Sequence, residues 1–271
     1  MKKLYWKVTN KCNLDCEYCF YKVYSDLESI DECRNIGNIV ETVKKISPTS
    51  IMISGGEPGV REDVFKVIMH VKGICSNISV FTNGTFIDKY LEDILKNGWE
   101  NLKFQVSIGS EGITDGLKEK IKILVENEYK VYGYIIVDSD FLKKKKLLNE
   151  SRDLFSELYF QPLTVPQDSE LYVKTLNCCS DSIVSRCVKM MCEYSPQASD
   201  FYQYLEKYYT QKLCNSIINS DLRCRIGEKA YFMNPDLTFS QCLHCRRKNS
   251  ESMPKTSYCF SDRCICLADL M

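Results

Sequence analysis

Apolar positions in the first 160 residues follow two alternating periods. The segments Leu4–Thr9, Ser50–Ser54, Ile78–Thr82, Leu102–Ser107, Val131–Val137 and Leu158–Phe160 are short and apolar or alternating, and read as strands. Between them, apolar residues recur three and four positions apart. Ile36, Ile39, Val40, Val43 and Ile46 form one stripe, and Val64, Phe65, Ile68 and Met69 a second. Phe86, Ile87, Tyr90, Leu91, Ile94 and Leu95 form a third; Ile113, Leu117, Ile121 and Leu124 a fourth; residues 140–153 complete the series. Such spacing places one apolar face on a helix. Gly73 and Gly98 stand where the second and third helices would end. Six βα units with short connections imply a parallel sheet with helices outside it. An open doubly wound sheet and a barrel both satisfy that pattern.

The pattern changes near residue 161. Gln161-Pro162-Leu163-Thr164-Val165-Pro166 reads as a linker, and residues 198–213 as an aromatic-rich helix. After Leu213 the chain is irregular and Cys-dense, which suits a fold organised by metal more than by a large apolar core. The expected division is a core over 1–160 followed by linker helices and a Cys-rich region over 161–271.

Charge narrows the function classes. The chain of 271 residues carries 36 Lys+Arg against 36 Asp+Glu, so it has no electrostatic footprint for nucleic acid or an anionic membrane. The Lys143–Lys146 run reads as a solvated helix face. No apolar run approaches the length of a transmembrane helix. Polar Lys7, Thr9, Asn10 and Lys11 follow the basic start, so no signal-peptide core is present and a cytoplasmic location is expected.

Cysteine is the outlier. Of 16, five fall in residues 12–75, none in 76–177 and eleven in 178–266, alongside two His. In a reducing compartment a disulfide framework is not expected. Thiolates with few imidazoles favour zinc or iron–sulfur sites. Cys33, Cys75, Cys178, Cys179, Cys187, Cys192 and Cys214 fit no ligand spacing and read as small buried hydrophobes, and His244 as a loop residue.

The strongest chemical signal is Cys12-Asn13-Leu14-Asp15-Cys16-Glu17-Tyr18-Cys19, directly after the first strand. Three thiolates can hold one centre but fall one short of the usual four, leaving an open iron, unless a distant fourth Cys completes a structural zinc. Ser54-Gly55-Gly56-Glu57-Pro58 follows the second strand, Thr82-Asn83-Gly84 the third and Ser107-Ile108-Gly109-Ser110 the fourth. All four motifs therefore lie on the strand-end rim where α/β barrels place their active sites. Gly55 and Gly56 permit close backbone approach to a ligand, and Glu57 offers a carboxylate to a cationic amino group.

Together these motifs resemble those of the radical S-adenosylmethionine (SAM) superfamily, with CxxxCxxC, GGEP and TNG in order. Gly109 departs from the Ser-x-Asp-Gly that relatives often carry. The resemblance implies a partial (β/α)6 TIM-like barrel with a Cys-rich C-terminal auxiliary-cluster region. It also implies that Cys12, Cys16 and Cys19 ligate a 4Fe–4S cluster whose fourth iron takes SAM. Gly55, Gly56 and Glu57 would hold the amino end of SAM, Tyr18 would lie near the adenine, and Thr82, Asn83 and Ser107 near the ribose. Such an enzyme cleaves SAM reductively and abstracts hydrogen from its substrate. The cofactor carries the hard chemistry and the protein positions it.

Cys224, the hairpin-like Tyr231–Phe239 and Cys242 resemble the SPASM or Twitch extension of that superfamily, with Leu237 in place of a turn glycine. Cys245, Cys259, Cys264 and Cys266 follow, enough with Cys224 and Cys242 for at least one auxiliary iron–sulfur cluster or a structural zinc. The resemblance points to a ribosomally made peptide as substrate and to a flavodoxin- or ferredoxin-like electron donor. No peptide-recognition domain precedes the first strand, so a leader-binding protein would be a separate chain. A small-molecule substrate is the alternative among enzymes, and a zinc-stabilised binding module the alternative outside them.

Overall fold

A computed structural model describes residues 2–19, 31–109, 112–137, 140–162, 181–215 and 230–240. The elements are β1 (Lys3–Lys7), α1 (Ile36–Ile46), β2 (Ser50–Ser54), α2 (Val64–Val71), β3 (Asn77–Thr82), α3 (Thr85–Asn97), β4 (Leu102–Ile108) and α4 (Asp115–Glu126). They continue with β5 (Lys130–Val137), α5 (Lys145–Arg152), β6 (Glu157–Pro162), α6 (Asp181–Tyr194), α7 (Ser199–Asn215), β7 (Ala230–Met233) and β8 (Phe239–Ser240). The architecture is α/β, with successive βα units on a mostly parallel sheet, as in a partial (β/α)6 barrel.

The ends of these helices follow local chemistry. Asn35 Oδ1 accepts from Asn38 N at 3.1 Å and caps α1. Thr114 caps α4 by accepting from Leu117 N, so that helix begins after the apolar Ile113 of the sequence pattern. Gly98 ends α3 with φ +53°, the left-handed conformation that glycine takes without strain. The expected 140–153 helix is shorter, because a single 3-10 turn at Phe141–Lys143 precedes α5. Lys143, Lys145 and Lys146 are exposed as expected and Lys144 is half-buried, with Lys143 paired to Asp140 at 2.9 Å.

The chain divides into two compact units, residues 1–15, 24–105 and 219–271, and residues 16–23 and 106–218. In the first, the strand order is β3-β2-β1-β7-β8, with residues 102–105 of β4 beside β3. Leu4 and Trp6 of β1 pair in parallel with Ile51 and Ile53 of β2 and with Tyr231 and Met233 of β7. One sheet face is fully buried: Leu4, Trp6, Ile51, Ile53, Ile78 and Val80 are at most 1% exposed. Ile39, Val43, Ile46, Val64, Ile68, Phe86 and Ile87 of the helices are buried with them. Each such large side chain is worth about 1.5–3 kcal/mol of burial. The opposite face, with Tyr5, Met52, Ser54, Ser79 and Phe81, is half-buried.

The hairpin expected at 231–239 forms, and β7 runs antiparallel to β8. Its turn keeps glycine geometry without glycine. Leu237 has φ +70°, Asn234 N donates to Thr238 O at 2.8 Å, and Asp236 Oδ1 accepts from Thr238 N at 3.0 Å.

In the second unit, β5 and β6 pair in parallel, with Tyr134 opposite Tyr159. Gly133 is closely packed there: a Cβ would sit 2.6 Å from Leu158 Cδ2 and 2.8 Å from Phe155 Cδ2. Helix α6, which the sequence pattern did not predict, buries Val184, Cys187, Val188 and Met191, and in α7 Tyr202 donates its hydroxyl to Leu158 O at 2.8 Å. Cys187 is the small buried hydrophobe expected of it.

Candidate active site

The Gly-Gly-Glu turn after β2 is built against the chain leaving β1. Gly56 N donates to Thr9 O at 2.9 Å and Glu57 N to Lys11 O at 2.8 Å. A Cβ on Gly55, where φ is +152°, would lie 2.5 Å from Thr9 O, and one on Gly56 would lie 2.1 Å from Lys11 O. The clearance these glycines provide is thus filled by the backbone of Thr9–Lys11, the root of the cysteine loop. Gly59 is constrained in the same way, its Cβ position lying 2.6 Å from Phe86 N.

Glu57 is 1% exposed and ties β2 to β3. Its Oε1 accepts from Gly59 N at 2.9 Å and Thr82 Oγ1 at 2.8 Å, and its Oε2 accepts from Asn83 N at 2.7 Å. Burial pushes this carboxyl above its ordinary range, against the opposing pull of its hydrogen bonds from Asn83, Gly59 and Thr82. Thr82 Oγ1 also accepts from Gly84 N at 3.0 Å and Phe86 N at 3.3 Å, and so fixes the turn into α3.

Asn83 takes part in a closed ring with Asn13 and Thr85. Asn83 Nδ2 donates to Asn13 Oδ1 at 3.0 Å, Asn13 Nδ2 to Thr85 Oγ1 at 3.0 Å, and Thr85 Oγ1 to Asn83 Oδ1 at 2.7 Å. Next to Asn13, Leu14 N donates to Cys12 Sγ at 3.4 Å. The TNG turn is therefore bonded to Asn13, the residue after the first cysteine of the motif, which spacing alone did not show.

In the second unit, Cys19 N donates to Cys16 O at 3.2 Å, closing a turn around Tyr18. The Tyr18 hydroxyl would lie 3.8 Å from a Cβ at Gly109, so its ring reaches the end of β4 that carries half-buried Ser107. Gly109 and Gly112 bridge each other, with Gly112 N donating to Gly109 O at 3.1 Å.

Sequence reasoning missed Arg61, which is 1% exposed. Its guanidinium donates to Val8 O at 2.8 Å, Cys33 O at 2.8 Å and Asp63 Oδ1 at 2.7 Å. Cys33 N in turn donates to Pro235 O at 2.8 Å, so the β7–β8 turn is linked to the root of the cysteine loop. Burial alone would raise the Asp63 carboxyl, but the Arg61 hydrogen bond and charge, with Arg34 at 3.0 Å, hold it below its ordinary range. The signal in the sequence was a charge between a proline turn and an apolar helix; two of its acceptors, Val8 O and Cys33 O, are main-chain carbonyls, which leave no trace in sequence. Thr9 Oγ1 also donates to Glu32, whose carboxylate pairs with Arg34 at 2.6 Å.

Cys12, Cys16 and Cys19 are in no disulfide, and each is exposed or half-buried. Among the described residues no three His, Cys, Asp or Glu side chains gather at metal-binding distances. The donor set nonetheless suits an iron–sulfur centre: three thiols in no disulfide on an irregular loop, the first with a backbone N–H aimed at its sulfur. Cys33 lies in the segment before α1, outside any helix. Cys75 is half-buried, and burial pushes its thiol up to about 11, which makes it a poor nucleophile. Cys224, Cys242, Cys245, Cys259, Cys264 and Cys266, together with His244, Cys178 and Cys179, lie outside the described residues. No helix among the described residues is long and apolar enough to cross a membrane.

Comparison with known proteins places this geometry. The chain is 27% identical over 170 residues to a GTP 3',8-cyclase of Clostridium perfringens (strain SM101 / Type A), covering 58% of this chain and 51% of that protein. It is 35% identical over 128 residues to a probable GTP 3',8-cyclase of Methanococcus vannielii, covering 44% of this chain and 42% of that one. The chain thus spans about half the length of these curated relatives. Among solved structures, it resembles Streptococcus suis SuiB bound to precursor peptide SuiA with TM-score 0.60 and 13% identity, over 94% of this chain and 63% of that one. It resembles anSMEcpe with bound AdoMet with TM-score 0.59 and 15% identity, over 89% of this chain and 71% of that one. These likenesses show the shared fold. Residues 6–131, which run from β1 into β5 and carry the cysteine, Gly-Gly-Glu and Thr-Asn-Gly motifs, match the model of the Radical SAM superfamily.

Proposed function

We propose that this radical SAM enzyme modifies a ribosomally synthesised peptide. Cys12, Cys16 and Cys19 would hold a 4Fe–4S cluster. Gly55, Gly56, Glu57, Thr82, Asn83, Ser107 and Tyr18 would surround SAM, with Gly55, Gly56 and Glu57 at its amino end. When bound, the cluster and SAM supply a radical able to abstract hydrogen from an unactivated carbon. The residues described above orient SAM and keep water from it. An external flavodoxin- or ferredoxin-like donor would supply the electron. The cysteines from Cys224 to Cys266, in the C-terminal division 161–271, would hold at least one auxiliary cluster.

What carries the peptide reading is the reach of the structural likeness. The likeness to SuiB, solved with its precursor peptide, covers 94% of this chain, whereas the identity to the two GTP 3',8-cyclases covers 58% and 44%. Those same relatives favour a second reading, a nucleotide substrate. The test is anaerobic turnover with SAM and a reductant, using short peptides encoded beside the gene or GTP. The expected result is peptide-dependent 5′-deoxyadenosine above the substrate-free level, with a mass or stereochemical change in the peptide. Stimulation and a cyclised product with GTP, and none with peptide, would overturn it.

A further inference from the structure

We infer that Asn13, Asn83 and Thr85 form a clamp that positions the Cys12 thiolate for iron. This rests on the reading of Cys12 as a cluster ligand and assigns Asn83 a task other than contact with the ribose. The polarity of the ring carries the argument. Asn13 Nδ2 donates to Thr85 Oγ1, which donates to Asn83 Oδ1, and Asn83 Nδ2 donates back to Asn13 Oδ1. Each bond is 2.7–3.0 Å, and each donor meets an acceptor. Asn83 Oδ1 accepts in addition from Thr85 N at 3.1 Å, so the side-chain amide of Asn83 is engaged at both ends by this chain.

Asn13 is exposed and lies in an irregular loop, where an ordinary asparagine would be solvated by water. Here it is anchored to the first residue of α3, an element whose Phe86 and Ile87 are fully buried. One end of the clamp is thus fixed in the core, and the other is the exposed loop that begins at Cys12. Anchoring Asn13 restrains the residues on either side of it, and Leu14 N then meets Cys12 Sγ at 3.4 Å. A hydrogen bond to a ligating sulfur withdraws charge from it and moves the potential of the attached cluster. The three residues act through Cys12 and are positioning residues.

Thr85→Val tests this with least disturbance, because it keeps volume and the backbone bond to Asn83 and removes the hydroxyl alone. Thr85→Ser restores the hydroxyl, and Asn13→Ala breaks the ring at its exposed member. Full-length enzyme is reconstituted anaerobically and reduced, and the electron paramagnetic resonance signal that shifts on adding SAM is followed under chelator challenge. Thr85→Val and Asn13→Ala should lose that signal about fivefold faster than wild type, the effect of one neutral hydrogen bond. Their reduction potential should shift, and Thr85→Ser should behave as wild type. Thermal unfolding of the protein without iron, unchanged in Asn13→Ala, separates positioning from folding. Wild-type decay and potential in Thr85→Val and Asn13→Ala, with the signal abolished by Cys12→Ala, would overturn the clamp and leave the cluster reading intact. A full SAM-responsive signal in Cys12→Ala would overturn the cluster reading itself.

Discussion

Two parts of the same rim solve opposite problems. Around Glu57, polar groups are matched within the chain: the carboxylate accepts from Gly59, Thr82 and Asn83, Thr82 Oγ1 bonds two backbone amides, and the glycines fit against Thr9–Lys11. In the cysteine loop, Cys12 is exposed, Leu14 is 47% exposed, and the thiols are in no disulfide. The first part is closed by hydrogen bonds within the chain, and the second holds its cysteines outside any disulfide on an exposed loop. A change in the turn region should therefore register as lost stability. A change in the loop should register as lost metal and activity with the fold intact.

The sharpest separation comes from replacing Cys12, Cys16 and Cys19 together with Ala. SAM cleavage should vanish, while the unfolding midpoint of the protein without iron stays within a few degrees of wild type, because none of the three thiols supports the core. A large loss of stability in the apoprotein would break the contrast.

Gly56→Ala should do the reverse. Its Cβ would meet the Lys11 carbonyl at 2.1 Å, and the neighbour is backbone that cannot swing aside. Overpacking of this kind costs about 3 kcal/mol, measurable by urea unfolding. An unchanged midpoint would mean that the turn yields easily.

Glu57→Gln should cost about 1–3 kcal/mol, because one amide hydrogen face must meet an N–H or hydroxyl donor. It should also remove a pH dependence. The folded carboxyl titrates above its ordinary 4.5, so the unfolded chain loses this proton first. Its contribution to stability is full below that value and falls as pH rises through the folded one. Urea titrations over that range should show the decline in wild type and its absence in Glu57→Gln.

The smallest effect lies at the β7–β8 turn. Leu237 holds φ +70°, which costs a residue with Cβ about 1–2 kcal/mol. After the extra unfolded-state entropy of glycine, Leu237→Gly should gain about 0.5–1 kcal/mol, seen as a small rise in midpoint.

Much of this was legible in the sequence. The strands and helices through β6 followed from their periods, and the order of motifs placed their residues on strand ends. Periodicity speaks of local faces and is silent about partners. It could not show that β7 pairs with β1, more than 220 positions earlier. Nor could it show that the clearance at Gly55 and Gly56 is filled by Thr9–Lys11, or that buried Arg61 is satisfied by the carbonyls of Val8 and Cys33. Helix α6 escaped because its apolar face is built partly from cysteine and methionine, Cys187 and Met191. Leu237 hid a glycine-type turn behind an apolar residue, although Asn234, Pro235 and Asp236 marked it.

The central claim is that the loop thiols of Cys12, Cys16 and Cys19 make this chain a SAM-cleaving enzyme. Anaerobically reconstituted protein, given SAM and dithionite, should yield methionine and 5′-deoxyadenosine in equal amounts by liquid chromatography and mass spectrometry, and the Cys12/Cys16/Cys19→Ala variant should yield neither above background. Equal amounts of both products from the variant and the wild type, at the same rate, would contradict it.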